Sequence, residues 1–218
     1  MKKYLLPLVA GLLAASPALA EWELSFYTGT QSAPHSGLDG AIGEDDGAIP
    51  IDINVGWDGK SFEMPPYYGF RAVNWRNDRI GFGVDFNHAK VYADDDSLAA
   101  GGFDRLEFTD GHNILTANVF YRWKQDSRRY TPYVGAGIGA AIPHVDITHG
   151  DNRTFGYQLT GPAVQWVAGA SYALNDRWSI FGEYKGTYSQ NKVELDGGGE
   201  LETDIITNAL NVGVSLNF

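Results

Sequence analysis

The stretch TNALNVGVSLNF, residues 207–218, places Leu210, Val212, Val214, Leu216 and Phe218 on one side of the chain. Asn211, Gly213, Ser215 and Asn217 fall on the other side. A period of two held over this length describes a β-strand with one apolar and one polar face. No long apolar run accompanies it, and the chain carries 27 glycines with 6 Trp, 12 Tyr and 11 Phe. Many glycines and aromatics without helical periodicity point to strands throughout.

Working outward from the C-terminus, the same alternation marks strands near 22–32, 66–76, 80–92, 107–123, 131–142, 160–173, 178–190 and 204–218. Their apolar sides include Trp22/Leu24/Phe26, Tyr68/Phe70/Ala72, Ile80/Phe82/Val84/Phe86, Leu115/Ala117/Val119/Tyr121 and Val134/Ala136/Ile138/Ala140. The set continues with Val164/Trp166/Ala168/Ala170/Tyr172 and Ile180/Tyr184/Tyr188. A soluble ligand-carrying barrel turns its apolar face inward. Here charged residues alternate with the apolar face on several strands, so the charges share the interior and the apolar face meets lipid. The expectation is an all-β fold, an eight-stranded antiparallel transmembrane β-barrel. Short connections at 77–79 (NDR), 124–129 (KQDSRR) and 175–177 (NDR) alternate with long ones near 33–65, 93–106, 143–159 and 191–203. Short periplasmic turns and longer external loops are the outer-membrane arrangement. The repeated Asn-Asp-Arg reads as one three-residue hairpin used twice, with Asn tolerating a left-handed backbone. A terminal Phe on an alternating strand resembles the assembly signal of bacterial outer-membrane barrels, which implies the barrel-assembly machinery as a partner through Phe218.

The first twenty residues have a basic start at Lys2 and Lys3, an apolar stretch from Leu5 to Ala15, and Ala18-Leu19-Ala20. These are the parts of a secretory signal peptide, and the apolar run is too short to span a bilayer as a helix. The domain expectation is a signal peptide at 1–20 and a barrel at 21–218. The absence of cysteine excludes a disulfide framework and thiolate metal sites. The formal charge of −11 becomes −13 without the two signal lysines, which argues against a nucleic-acid partner.

Strand parity turns Glu23, Arg71, Asp85, Arg122, Glu183 and Lys185 inward. Counting back from a three-residue turn at 77–79 sets Arg71 opposite Asp85. The same count at 175–177 sets Gly169 opposite Glu183. An eight-stranded barrel is just wide enough for side chains to fill it, which favours a salt-bridged plug and excludes a solute pore. The run GAGIGAA at 135–141 lacks a following helix, so it reads as tight interior packing of a strand, not a phosphate loop.

The five histidines, His35, His88, His112, His144 and His149, all fall at or beyond the external strand ends. His88 interrupts the apolar face of GVDFNHAKVYADDD (83–96) where the hydrocarbon band, about 25 Å tall, should end. Asp85, Asp110, Asn113, Tyr157, Gln158, Glu183, Lys185, Tyr188 and Asn191 also lie toward that half. Imidazole suits proton transfer and metal ligation near neutral pH. Ser32, Ser36, Ser97 and Ser189 are external serines without a nucleophile signature. The acidic stretch GEDDGAIPIDIN (43–54) reads as a solvated loop able to meet a divalent ion through Glu44, Asp45 and Asp46.

Five stretches together resemble one family: WELSFYTGTQSAPHS (22–36), PPYYGFRA (65–72), VDFNHAKVYAD (84–94), FTDGHNILTANVFYRW (108–123) and GEYKGTYS (182–189). They are similar to the small alphaproteobacterial outer-membrane barrels called lipid A oxidases. The resemblance implies lipid A of lipopolysaccharide as substrate, with its proximal glucosamine oxidised to an aminogluconate by molecular oxygen. On that basis His88, His112, Asp85, Glu183 and Lys185 are the candidate catalytic residues. His35, His88, His112, His144 and Asp110 are the candidate ligands for a transition metal, iron or copper. Two other readings stand beside it. One is a lipid A deacylase using a rim serine or metal-bound water. The other is a non-enzymatic structural or ligand-binding barrel.

Overall fold

The structure, a computed structural model, describes residues 21–44, 47–125 and 127–218, without the side chains of Thr109 and Asp110. Residues 1–20, expected above to be a signal peptide, and Asp45 and Asp46 lie outside the described residues. In chain order the strands are β1 (Glu21–Ser32), β2 (Ser36–Ile42), β3 (Ile49–Val55), β4 (Trp57–Asp58), β5 (Tyr68–Trp75), β6 (Ile80–Ala93) and β7 (Arg105–Arg122). They continue with β8 (Tyr130–Ala141), β9 (His144–His149), β10 (Asn152–Tyr157), β11 (Gly161–Ala173), β12 (Trp178–Glu194) and β13 (Gly199–Asn217). A short helix, α1 (Asp95–Gly101), lies between β6 and β7.

Eight of these strands pair antiparallel in the order β1–β5–β6–β7–β8–β11–β12–β13, and β13 returns to β1, closing the ring. At the seam Trp22 and Phe218 exchange two backbone hydrogen bonds of 2.9 Å, so the terminal aromatic belongs to the ladder. Closure removes the edges of the eight-stranded ring, which is what lets its strands cross a hydrocarbon layer. The wall alternates as the sequence requires. Leu24, Phe26, Phe70, Phe82, Val84 and Val119 are exposed on the outside, while Ser25, Arg71, Asp85, Asn118 and Ser215 are buried inside. Trp22, Tyr130, Tyr172 and Trp178 form an exposed aromatic belt at the turn end. In the run 135–141, Gly135 faces the Phe120 and Val167 side chains, so the glycine makes room for interior packing.

The two Asn-Asp-Arg turns are the same structure. Asn77 Oδ1 accepts from the backbone N–H of Arg79 and Ile80, both at 2.8 Å. Asn175 Oδ1 accepts from Arg177 and Trp178, at 3.0 and 2.9 Å. Neither Asn is left-handed; among described non-glycine residues only Lys60 has positive φ. The expectation of a left-handed Asn is therefore corrected: the side chain satisfies two turn donors and needs no unusual backbone.

The other end departs further from the expected long loops. β12 and β13 run on as an extended hairpin, with Glu194 opposite Glu200 and Leu195 N–H donating to Gly199 O at 3.0 Å. The connection expected at 191–203 is thus mostly strand. The segment 43–54, read as a solvated loop, contributes β3, which pairs with β2, and β2 adds to β13. The segment 143–159 folds as the β9–β10 hairpin, and β9 adds to β7. Inward residues of these extensions, among them Leu38, Val55, Val91, Phe108, Val145, Ile147, Leu201 and Ile205, form one buried apolar cluster above the polar interior. The run Asp94-Asp95-Asp96 starts α1. Asp94 Oδ1 accepts from Ser97 N–H at 2.8 Å, and its hydrogen bonds with Ser97 hold the carboxyl below the usual aspartate range. Asp95 and Asp96 occupy the first turn, and left-handed Gly102 closes the helix.

Replacing Asn77 or Asn175 with Ala removes the one side-chain oxygen that two turn N–H groups share, and each change is expected to cost about 1 kcal/mol. The control Asp176→Ala should stay within about 0.5 kcal/mol. Urea unfolding of the refolded barrel in micelles measures all three, and the two Asn variants should agree with each other.

Candidate functional site

The barrel interior holds two cations and two carboxylates at mid-height. Arg71 Nε donates to Asp85 Oδ2 at 2.7 Å, and its two terminal nitrogens donate to Glu183 Oε2 and Oε1 at 2.9 and 2.6 Å. Lys185 Nζ donates to Asp85 Oδ1 at 2.6 Å and also to the Tyr27 hydroxyl. Tyr27 OH donates to Asp85 Oδ1 at 2.7 Å, and Tyr133 OH donates to Glu183 Oε2 at 2.6 Å. The guanidinium of Arg71 lies over the rings of Phe120 and Tyr27, 5.1 and 5.4 Å from their centroids. The pairing Arg71 opposite Asp85 and the space Gly169 leaves for Glu183 are as the turn count requires. On the turn side of this knot a cavity of about 600 Å³ opens, lined by Glu23, Trp75 and Arg122 among others. Arg122 donates to Glu21 Oε2 at 2.7 Å and lies over the Trp75 ring.

Above the knot, His112 points inward. Its Nε2 lies 2.8 Å from Ser189 Oγ, which also accepts from Asn191 Nδ2 at 3.0 Å. Both His112 and Ser189 are completely buried, between the charged knot and the apolar cluster. No described carboxylate meets His112 Nδ1. Sealed from both ends, this Ser–His pair is closed to a lipid substrate.

His88 stands on the other face of the wall. It pairs in register with Asn113 and Tyr68, and the outward Phe86 and Leu115 lie directly below it. Its ring stacks on Tyr68 with centroids 4.8 Å apart. Its Nδ1 lies 2.9 Å from Asn113 Oδ1, while Asn113 Nδ2 donates to Ile142 O at 3.3 Å. The second bond orients the amide, so Oδ1 accepts and His88 Nδ1 donates. Gly111, at φ +105°, sits where a Cβ would overlap the His88 ring. Two residues beyond Ile142, His144 packs edge-on against Phe155 and Tyr157, 4.5 and 4.7 Å between centroids.

The predicted catalytic set therefore divides. Asp85, Glu183 and Lys185 are consumed in the interior knot, His112 lies above them, and His88 faces outward. The predicted metal set divides as well. His35 is exposed beside Gly56 and Asp94, His88 and His144 lie on the outer wall, and His112 is inside. Asp110 lies outside the described side chains. Among the described residues no three imidazoles or carboxylates come together as a ligand set, so no step is derived through a metal. Several contributors to these sites went unread in the sequence. Tyr27, Tyr133 and Asn211 share the inward parity of the charged residues. Arg153, Phe155, Tyr157 and Leu159 alternate with Thr154, Gly156 and Gln158, a period-two signal inside what reads as a loop.

Comparison with known proteins agrees with this architecture. The family model described as "Outer membrane protein beta-barrel domain" matches residues 6–218, and the chain belongs to that family. It is a protein of the bacterial outer membrane. Neisserial surface protein A (NspA) is 15% identical, with 90% of this chain and 97% of that chain covered and a TM-score of 0.52. The outer membrane protein OprG from Pseudomonas aeruginosa is 10% identical, covering 91% and 96%, with a TM-score of 0.53. At such identities the likeness is one of fold alone. No curated protein is significantly similar in sequence.

Removing one partner from a buried ion pair leaves an uncompensated charge, at a cost of about 3–5 kcal/mol. Arg71→Met strips Glu183 of both its cationic donors and Asp85 of one. The barrel is expected to lose stability on that scale in urea unfolding from lipid vesicles. Arg76→Met, an exposed change at the turn end, should leave the midpoint unchanged.

Proposed function

We propose that this outer-membrane barrel acts on lipid A in the outer leaflet, as the resemblance to lipid A oxidases implies, converting the proximal glucosamine to an aminogluconate. The observation that carries the reading is the place of His88. By strand parity its imidazole belongs to the lipid-facing side of the wall, directly above the outward Phe86 and Leu115, where it is 4% exposed beneath the Tyr68 ring. The glucosamine backbone of a lipid whose chains cover that band comes to the same height. The interior, filled by the charged knot and roofed by the apolar cluster, offers a membrane lipid no entry.

His88 supplies the base. Oxidation at a free anomeric carbon takes the hydroxyl proton and the C1 hydrogen with two electrons. The His88 imidazole accepts the proton. Dioxygen, the oxidant the resemblance implies, takes the C1 hydrogen with its two electrons and, with the proton, leaves as hydrogen peroxide; water opens the resulting lactone, so the sugar gains one oxygen overall. Asn113 fixes the tautomer. Tyr68 covers one ring face and has to move aside for the sugar. In the same reading residues 1–20 are the export signal, and the C-terminal strand with Phe218 is what the barrel-assembly machinery recognises.

A non-enzymatic, ligand-binding barrel is the second reading. It is favoured by the buried apolar cluster under the loop-end hairpins, which makes that end a rigid platform.

Mass spectrometry of lipid A from a host that lacks this protein and makes lipid A with a free anomeric hydroxyl, with and without the expressed barrel, tests the proposal. One added oxygen on the sugar backbone is expected with the native chain and none with a folded His88→Ala variant. Unchanged lipid A beside a folded native barrel would favour the binding reading, and loss of an acyl chain would favour the deacylase.

A further inference from the structure

Among the described residues, the loop end of the barrel carries five lysines and arginines: Lys60, Lys90, Arg105, Arg153 and Lys192. Four of them gather on one outer wall, made by β6, β7, β9 and β10. Lys60 lies over the ring of outward Tyr92, 4.4 Å from its centroid. Lys90 is buried, its ammonium donating to Glu63 O at 3.1 Å. Arg105 and Arg153 both reach Asp146. Arg153 Nε and a terminal nitrogen donate to its two oxygens at 3.1 Å, and one Arg105 terminal nitrogen donates at 3.1 Å. That same Arg105 nitrogen donates to Glu107 at 2.9 Å. The Asp146 side chain is 2% exposed, whereas the two arginines are 52% and 53% exposed. A buried carboxylate thus tethers two guanidiniums by one edge each. A guanidinium has five N–H donors, so both half-exposed arginines keep donors that Asp146 and Glu107 do not use, Arg153 with its guanidinium over the Phe155 ring.

The same wall carries apolar side chains above the membrane band. Phe155, Tyr157 and Leu159 are 54%, 62% and 73% exposed, on the face opposite buried Thr154 and Thr160. Below them outward Ile138 and Val164, paired in register, continue the surface into the lipid-facing wall. Exposed apolar surface of this kind marks an interaction site. Cationic forks beside it select a ligand that is both anionic and greasy.

We infer that this wall is the docking face for a phosphorylated glycolipid of the outer leaflet, lipid A. Arg105 and Arg153 hold a phosphate, and Phe155, Tyr157 and Leu159 lie along the acyl chains. The inference rests on the lipid A reading for the identity of the ligand and deepens it. The run Tyr157, His144, Ile142, Asn113, His88 is continuous along the wall, so the arginines, the exposed apolar side chains and the proposed base share one surface. Lys192, the fifth cation, sits elsewhere, paired with Glu200 and Glu202 on β13.

The test is native mass spectrometry of the refolded barrel in micelles, titrated separately with bisphosphorylated lipid A, phosphate-free lipid A and phosphatidylglycerol. Saturable binding of bisphosphorylated lipid A to the native chain is expected. The double variant R105Q/R153Q should weaken it at least about tenfold, the scale of one charge-assisted hydrogen bond. Phosphate-free lipid A should bind the native chain as weakly, K192Q should bind like the native chain, and phosphatidylglycerol should not compete. Equal binding by R105Q/R153Q, an equal loss in K192Q, or equal binding of phosphatidylglycerol would each overturn the inference. Should R105Q/R153Q fail to fold, R153K keeps the charge and loses the fork, and unchanged binding in it counts against the proposal. Oxidation of lipid A that keeps its distal phosphate but has a free anomeric hydroxyl, measured on the same proteins, separates the two claims. Oxidation with arginine-independent binding overturns the docking face alone. Phosphate-dependent binding at the arginines without oxidation in any protein supports the docking face and overturns the oxidase.

Discussion

The guanidinium of Arg71, gripped by Asp85 on one side and Glu183 on the other, is the interaction on which the rest of the barrel depends. Closing eight strands leaves an interior only as wide as the side chains that fill it. A strand that presents apolar residues to lipid must present its alternate residues to that interior. Charges placed there have no water to fall back on, so each must find a partner. Arg71, Asp85, Glu183 and Lys185 come from β5, β6 and β12, and their bonds cross the lumen as well as the sheet. The knot therefore ties distant parts of the ring together while cancelling its own charge.

That solution determines where chemistry can take place. The knot closes the lumen at mid-height, and the apolar cluster under the loop-end hairpins closes it again above. What remains on the turn side is a polar vestibule, and what remains on the membrane side is the outer wall. His112 and Ser189, a plausible pair by residue type, are enclosed between the two closures. His88 and His144, by contrast, stand on the wall with aromatic neighbours, and the loop-end cations collect beside them. A lipid-active site on this barrel is thus a property of its outside surface.

Much of this was legible in the sequence because period two reports which face a residue occupies, and a tight turn reports its register. From those two rules follow the eight strands, the pairing of Arg71 with Asp85, the gap Gly169 leaves for Glu183, and the outward parity of His88. The rules fail where pairing is not set by a neighbouring turn. β2 and β9 add to strands remote in sequence, β3 and β10 pair only with β2 and β9, and all four are six or seven residues long, so their alternation is easily taken for polar loop. The role of Asn77 and Asn175 was missed for another reason: Asn suits both a left-handed backbone and a side-chain-capped turn, and only coordinates separate the two. The expectation that the histidines meet came from their shared height along the barrel. Height says nothing about face: His112 is opposite Ala89 and His88 is opposite Asn113, one residue apart and on opposite sides of the wall.

The claim that one side of the outer wall engages lipid A is most directly tested by photo-crosslinking in intact outer membranes. Benzoylphenylalanine is placed at residue 157 in one protein and at residue 188, outward on β12, in another. The account predicts a lipid A adduct several-fold more abundant from 157 than from 188. Equal yields at the two positions would mean that lipid A merely surrounds the barrel, and would contradict it.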